Sequence, residues 1–205
     1  MSGSDVKRIA QVLGEDSAAA AAEASARFAE RADREGLAEI GYATLDTPLG
    51  VAVLAATRRG LVRVALPNQR LEQVLEELAA ELSPRIVELP KRLDPARREL
   101  DEYFEGARER FDLALDWRLV EPGFSARVLR QTARLPYGVT ASYGEIAHRA
   151  GSPRAYRAAG SALGRNPIPI VVPCHRVLLA GGRLGNYGGG PEMKAWLLRL
   201  EGAIG

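Results

Sequence analysis

The only cysteine of the chain, Cys174, lies in the stretch NPIPIVVPCHRVLLAGGRLGNYGGG, residues 166–190. A proline precedes it, His175 and Arg176 follow it, and a glycine-rich segment over 181–190 comes next. A lone cysteine is more often an inert small hydrophobe than a nucleophile. Three features point to reactivity here. Cys174 ends the apolar run Ile-Pro-Ile-Val-Val, read as a strand that delivers a side chain to a boundary. His175 and Arg176 are cations or hydrogen-bond partners able to favour the thiolate, the nucleophilic form. The glycines that follow can shape a pocket. These features favour a reactive thiol over a structural one and leave its substrate open.

The same count restricts other chemistry. One cysteine closes no internal disulfide, which suits a reducing compartment. With two histidines, His148 and His175, the chain is short of ligands for the usual zinc site. No cofactor is expected. No apolar run approaches the roughly 20 residues that span a bilayer, and the opening MSGSDVKRIAQVLGEDS lacks the apolar centre of an export signal. The expected setting is the cytoplasm, without a membrane. Net charge is +2, yet it is unevenly spread. Residues 1–120 hold 17 Lys/Arg against 22 Asp/Glu, a balance of −5, and residues 121–205 hold 11 against 4, a balance of +7. A basic half joined to an acidic one is what a nucleic-acid contact requires, although an uneven solvated surface looks the same at this level.

The elements that must position the thiol divide the chain in three. Residues 1–37 form an appended alanine-rich segment, read as a helix capped by Asp16 or Ser17 and stopped by Gly36. Residues 38–120 form an α/β domain. Three strand-like runs over 40–67, broken by Asp-Thr-Pro-Leu-Gly and Arg-Arg-Gly, predict an antiparallel meander. Leu71, Val74, Leu75, Leu78 and Leu82 make a helical stripe. A second helix is expected over 93–106, with Asp94 as N-cap, Pro95 in the first turn and Gly106 as its stop. RFDLALDWRLV alternates as a strand does.

Residues 121–205 form the third part. Phe124, Val128, Leu129 and Leu135 mark one side of a helix over 124–135. SYGEIAHRAG opens on a capping box, Ser142 with Glu145, and closes on Gly151. The next helix is expected over 152–166, with Ser152 as cap and Pro153 at its first position. Two short helices joined this way are a helix-turn-helix or an ordinary helical hairpin. Arg154 and Arg157, one turn apart on the second helix, favour DNA. That helix is small-sided, with Ala155, Ala158, Ala159, Gly160, Ser161 and Ala162, so its backbone can approach a neighbour closely. The last helix has an expected buried stripe of Met193, Trp196, Leu197 and Leu200.

NPIPIVVPCHRV, followed by GRLGNYGGG and KAWLLRLEG, resembles the O6-alkylguanine-DNA alkyltransferase family, also called methylated-DNA–protein-cysteine methyltransferases. Pro-Cys-His-Arg-Val is that family's active-site signature. The likeness is dense over 121–205, looser over 40–120 through TLDTPLGVAVLAAT, and absent from 1–37. It implies a ribonuclease-H-like N-terminal domain and a mostly α, winged helix-turn-helix C-terminal domain. It implies single-turnover transfer of the alkyl group from O6-alkylguanine to Cys174, after the base is flipped from the duplex. The implied partner is double-stranded DNA carrying O6-alkylguanine, entered from the minor groove by a monomer, with cooperative binding left open.

Site roles follow from the resemblance, residue by residue. His175 would act through a bridging water as general base, Glu201 would orient and charge its imidazole, and Asn166 would bridge the turn before the active-site strand. Arg157 would fill the gap left by the flipped base. Tyr143 would help rotate the nucleotide and donate to guanine N3. Further DNA contacts would come from Arg154, Ser125, Ser152, Ala158 and Gly160. Leu163, Pro169, Leu184 and Tyr187 would wall the base pocket. The carbonyls of Cys174 and Val177 would accept from the guanine amino group, and the N–H of Gly188 or Gly189 would meet O6. The sequence departs from many relatives at Gly188, where a larger or polar residue is common, and at Tyr156, where alanine is often found. A cysteine hydrolase, a lesion-binding protein without transfer and a winged-helix regulator with an inert thiol are the competing readings. The lesion-binding relatives lack the cysteine.

Overall fold

The first two strands are joined by Pro48 and Leu49, and the turn is held by Thr47, whose hydroxyl donates to the Gly50 carbonyl at 2.6 Å. The computed structural model describes residues 20–205. Strands β1 (Ile40–Thr47), β2 (Gly50–Thr57) and β3 (Gly60–Ala65) make the antiparallel meander that the turn signals predict. A fourth strand, β4 (Ile86–Glu88), pairs in parallel with β1, so the order is β3-β2-β1-β4 and the sheet is mixed. Three residues are too few to show a period in sequence.

β2 is buried on both faces after its first turn. Val53 and Ala55 pack towards helix α2 (Leu71–Glu81) through Val74 and Leu78. Leu54 and Ala56 pack towards helix α3 (Pro90–Phe104) through Leu93, Ala96 and Leu100. The core on the α3 side runs without a break into the C-terminal half, reaching Leu129, Ile146, Ile168 and Leu197.

Helix α1 (20–34) lies against this unit through Ala29 and Ala32, which meet Leu89 and Ala38. Gly36, at φ +75°, ends it in the left-handed conformation glycine adopts freely. Asp16 and Ser17 fall outside the described residues.

Two expectations for the N-terminal half change. α3 starts at Pro90 rather than near Asp94, with Pro95 inside the helix. Proline fits the first helical position because its missing N–H would be unpaired there anyway, so Pro90 sets the start. RFDLALDWRLV contributes one bridge, Leu61 with Leu115, in place of a strand. Gly60 admits this approach, since a Cβ there would overlap the Ala114 carbonyl. The chain then leaves the ladder because the Asp116 carboxylate accepts from the Thr57 hydroxyl at 2.6 Å and pairs with Arg118.

In the C-terminal half, α4 (Phe124–Thr132), α5 (Tyr143–Arg149) and α6 (Tyr156–Gly164) pack together. A short parallel pair, β5 (Ala141–Ser142) with β6 (Val177–Leu178), accompanies them. The capping box forms: Glu145 N–H donates to Ser142 Oγ at 3.1 Å, and Ser142 N–H to Glu145 Oε2 at 2.6 Å.

α6 begins at Tyr156, four residues later than Ser152 and Pro153 suggest. The reason lies in the end of α5. Gly151 N–H donates to the His148 carbonyl and Ser152 N–H to the Ala147 carbonyl, each at 2.9 Å, which closes a Schellman motif. The chain then makes a separate turn, with Ala155 N–H donating to the Ser152 carbonyl at 2.9 Å, before α6 starts without a side-chain cap. Arg154 therefore sits in the connecting turn and not one turn from Arg157 on α6.

The last helix, α7 (Gly190–Leu200), also differs. Lys194, Ala195, Leu197 and Leu198 are its buried residues, while Met193, Trp196 and Leu200 are partly covered.

Candidate active site

The run before Cys174 is a tight turn, not a strand. Pro167, Pro169 and Pro173 lack the N–H groups a ladder requires. The segment instead folds on itself, with Val172 N–H donating to the Ile168 carbonyl and Cys174 N–H to the Val172 carbonyl, both at 2.8 Å. Ile170 sits at φ +73°, the one non-glycine residue with positive φ among those described. A β-branched residue there is strained and persists only because its surroundings fix it.

Asn166 spans this turn. Its Oδ1 accepts from Ile168 N–H at 3.1 Å, and its Nδ2 donates to the Val172 carbonyl at 2.8 Å and to Cys174 Sγ at 3.2 Å. Cys174, His175 and Arg176 follow as one turn of 3-10 helix. Cys174 is 9% exposed and lines a cavity of about 100 Å3 with Leu163, Asn166, Pro169, Tyr187 and Gly188.

Behind the cysteine lies a buried charge cluster centred on Glu201, at the C-terminal cap of α7. Glu201 Oε1 accepts from His175 Nε2 at 2.8 Å, from Tyr103 Oη at 2.6 Å and from Arg176 Nη2 at 2.9 Å. Its Oε2 accepts from Arg176 Nε at 2.8 Å and from Gly138 N–H at 3.3 Å. Burial alone would push this carboxyl upward, but the hydrogen bonds from His175 and Arg176 outweigh it and hold the pKa at about 2.

The carboxylate is thus ionised, so His175 Nε2 carries the proton of that hydrogen bond. Burial lowers the His175 pKa, with Glu201 opposing, and the ring rests as neutral imidazole. Its Nδ1 is buried without a hydrogen-bond partner and presents a lone pair. Tyr187 Oη is buried and unpartnered in the same region, its ring perpendicular to that of His175 at 6.3 Å.

The side chains of His175 and Arg176 are not what favours the thiolate; of the two residues, only the His175 backbone N–H contributes. Both turn to Glu201, and Arg176 Nη1 also donates to the Leu135 carbonyl at 2.6 Å. Burial pushes the Cys174 thiol up, with partial opposition from the Asn166 hydrogen bond and the charge of Lys194. At rest the sulfur is a thiol with a base close by, not a preformed thiolate.

Lys194 is fully buried and donates to the Val177 carbonyl at 2.6 Å, and burial lowers its pKa to about 8. The Val177 carbonyl keeps one free lone pair. The Cys174 carbonyl, which accepts from Val177 N–H, does so too.

A second opening of about 630 Å3 lies along the helix-turn-helix, lined by Tyr143, Tyr156, Arg157, Gly160, Leu179 and Arg183. Gly160 faces the Tyr143 ring, and a Cβ there would stand 3.7 Å from it, an ordinary contact. Burial, and then the nearby Cys174, raise the Tyr143 hydroxyl above its usual range, so it is a donor at neutral pH. Arg157 projects from the first turn of α6 with its guanidinium 5.7 Å from the Tyr156 ring centroid.

The structure brings Cys174, His175, Glu201 and Asn166 together, and sets Leu163, Pro169, Tyr187 and Gly188 around the sulfur. Leu184, Val177 and Gly189 do not line that cavity. Ser125, Ser152, Arg154 and Ala158 lie outside the groove lined by Arg157. The sequence reading missed Tyr103, Lys194 and the Glu201 grip of Arg176. A lysine inside an apolar helical stripe was the available signal for Lys194.

Comparison with known proteins covers both halves. Residues 123–203 match the family model of the 6-O-methylguanine DNA methyltransferase DNA binding domain, and residues 40–117 match that of its ribonuclease-like domain. Methylated-DNA–protein-cysteine methyltransferase of Mycolicibacterium paratuberculosis is 43% identical over 162 residues, 79% of this chain and 92% of that protein. The protein of the same name from Methanosarcina barkeri is 38% identical over 160 residues, 78% of this chain and 96% of that one. The crystal structure of Mycobacterium tuberculosis OGT in complex with DNA superposes with a TM-score of 0.68 at 39% identity, covering 78% of this chain and 92% of that one.

Proposed function

The chain belongs to the methylated-DNA–protein-cysteine methyltransferase family, and from that membership we propose that it repairs DNA by taking the alkyl group of O6-alkylguanine irreversibly onto Cys174. Its layout is an appended segment over 1–37, an α/β domain over 38–120 and a DNA-binding, thiol-bearing domain over 121–205. The observation that carries the reading is the Glu201–His175 hydrogen bond, which leaves a buried, unpartnered Nδ1 on the residue next in sequence to the single cysteine.

The reaction starts from the neutral pair. Cys174 and His175 are adjacent on one 3-10 turn, and a water between Sγ and Nδ1 passes the thiol proton to the imidazole. The imidazolium then lies against the ionised Glu201, which offsets its cost in the interior. The thiolate attacks the alkyl carbon, the S–C bond forms as the C–O6 bond breaks, and the electron pair leaves on guanine. Tyr143 donates to N3 of the leaving base and a backbone N–H of the 188–189 segment meets O6. The product thioether has no route back through thiol exchange, so each chain acts once.

Reaching O6 requires the nucleotide to leave the stack. α6 enters the minor groove, Arg157 takes the place of the extruded base, and the groove beneath Tyr143 and Gly160 receives the strand. The protein binds double-stranded DNA as a monomer.

The deciding measurement is the mass of the protein after incubation with an O6-methylguanine duplex. One methyl group per chain, located on Cys174 and absent in Cys174→Ala, is the expected result. Repaired product in excess of protein would instead indicate a hydrolase, and an unchanged mass a protein that only binds.

A further inference from the structure

The cavity at Cys174 is built by both halves of the chain. Arg63, Val64, Leu66 and Gln69, from β3 and the turn after it, line it opposite Pro169, Tyr187 and Gly188. Two hydrogen bonds cross between the halves at its rim. Val64 N–H donates to the Pro167 carbonyl at 2.9 Å, and Asn68 Nδ2 donates to the Gly188 carbonyl at 2.8 Å.

The turn that carries Asn68 is itself fixed. Gln69 N–H donates to the Leu66 carbonyl at 2.9 Å, and Leu66 N–H donates to Gln69 Oε1 at 3.2 Å. Its partner is the least constrained backbone in the site. Gly188 and Gly189 have no side chains to hold them, and a Cβ at Gly189 would overlap Met193 Sδ, so that thioether would have to move to admit one.

A trans peptide is planar, with C=O and N–H on opposite sides, and no described peptide is cis. Fixing the Gly188 carbonyl therefore fixes the Gly189 N–H and limits the turn available to the Gly188 N–H. These are the donors that the proposed function aims at O6.

We propose that Asn68 is a positioning residue for alkyl transfer, a latch from the N-terminal domain that sets the Gly188–Gly189 peptide so that its N–H faces the leaving oxygen. The inference rests on the alkyl-transfer reading above for its purpose, and on the Asn68–Gly188 bond for its geometry. Asn68 is solvent-exposed and distant in sequence from every DNA-contacting residue, so its loss separates leaving-group stabilisation from DNA binding.

The test compares wild type with Asn68→Ala, Asn68→Asp and Asn68→Gln, using an O6-methylguanine duplex in single-turnover kinetics. Asn68→Ala is expected to lower the transfer rate at saturating duplex by about 3- to 10-fold, the range for one neutral hydrogen bond. Duplex affinity, thermal midpoint and Cys174 reactivity towards iodoacetamide should stay at the wild-type level. Asn68→Asp, which loses the donor at the same size, should match alanine, and Asn68→Gln, which keeps it, should recover part of the rate.

Hydrogen exchange over 184–190 gives a reading independent of transfer, and it should quicken in the Ala and Asp variants alone. Unchanged exchange, an unchanged rate, or a rate loss matched by the thermal midpoint overturns the latch. A wild-type protein that gains no methyl group overturns the functional reading, while exchange still decides whether the latch exists.

Discussion

Glu201→Gln is the substitution that most directly tests the buried charge cluster. The carboxylate accepts five hydrogen bonds, three of them from His175 and Arg176. Glutamine keeps one acceptor oxygen at nearly the same volume. It places an NH2 where the other oxygen stood, donor against donor towards Arg176 or His175. It also leaves the Arg176 guanidinium buried without a counter-ion.

Removing one partner of a buried pair costs about 3–5 kcal/mol, which is a large share of a total near 5–15 kcal/mol. For a chain of this size that is a fall in thermal midpoint of roughly 6–20 °C. Urea titration with an unchanged slope should give the same free energy. The pH dependence carries a sign as well. The Glu201 pKa is depressed from 4.5 to about 2 in the folded protein, so its contribution is present above about pH 4.5 and lost as pH falls towards 2. Wild type should lose stability through that window and Glu201→Gln should lose less. At a temperature well below its midpoint the variant should also transfer at least 100-fold more slowly, since the imidazolium has lost its charge partner. A variant within about 1 kcal/mol of wild type, with the same acid profile, would refute the claim that this carboxylate is ionised and gripped.

Lys194→Met should leave the Val177 carbonyl unpaired and cost about 1–3 kcal/mol in urea unfolding near neutral pH. The depressed lysine pKa, about 8 against 10.5, means the unfolded chain binds the extra proton between those values. Stability measured against pH should therefore contain a rising component from about 8 to 10.5 that the methionine variant lacks. The difference between the two curves isolates it, and identical curves would refute a buried titrating lysine. Arg157→Ala should slow repair of duplex O6-methylguanine much more than reaction with free O6-benzylguanine, because the free base needs no extrusion. Equal losses on the two substrates would remove Arg157 from the flipping step.

The parts of the fold legible in sequence are those whose causes are local. Asp-Thr-Pro-Leu-Gly and Arg-Arg-Gly mark the two hairpins, and Ser142 with Glu145 marks the start of α5, because turns and caps are made within four residues. The start of α6 was misread for a related reason. Ser152 carries the chemistry of a cap, but it completes the Schellman motif of the preceding helix and the turn after it, and the local signal does not record which it serves. The turn over 167–173 looked like a strand because its residues are apolar. Its three prolines were the stronger fact, since they remove the donors. β4 and the single bridge at Leu115 depend on partners far along the chain and leave no local period.

Within the site, the signature at Cys174 and the resemblance pointed to the cysteine and histidine to which the proposed function assigns the roles of nucleophile and base. Tyr103 and the turn at Leu66–Gln69 were invisible, because their meaning arises only when residues about a hundred positions apart meet.

The resting state of the cysteine follows from the same long-range contacts. A thiolate stabilised at all times would need a cation at the sulfur and would react with any electrophile that reached it. Here the Arg176 guanidinium is spent on Glu201, and burial raises the thiol pKa against the partial opposition of Asn166 and Lys194. The imidazole is neutral for the same reason, with its proton on the side of the carboxylate. Moving the thiol proton to Nδ1 creates two charges in a buried site, and the carboxylate is already in place to receive the positive one. In this arrangement the resting sulfur is held as the thiol, and its conversion to the nucleophile depends on Glu201 and His175 and not on the acidity of the cysteine itself.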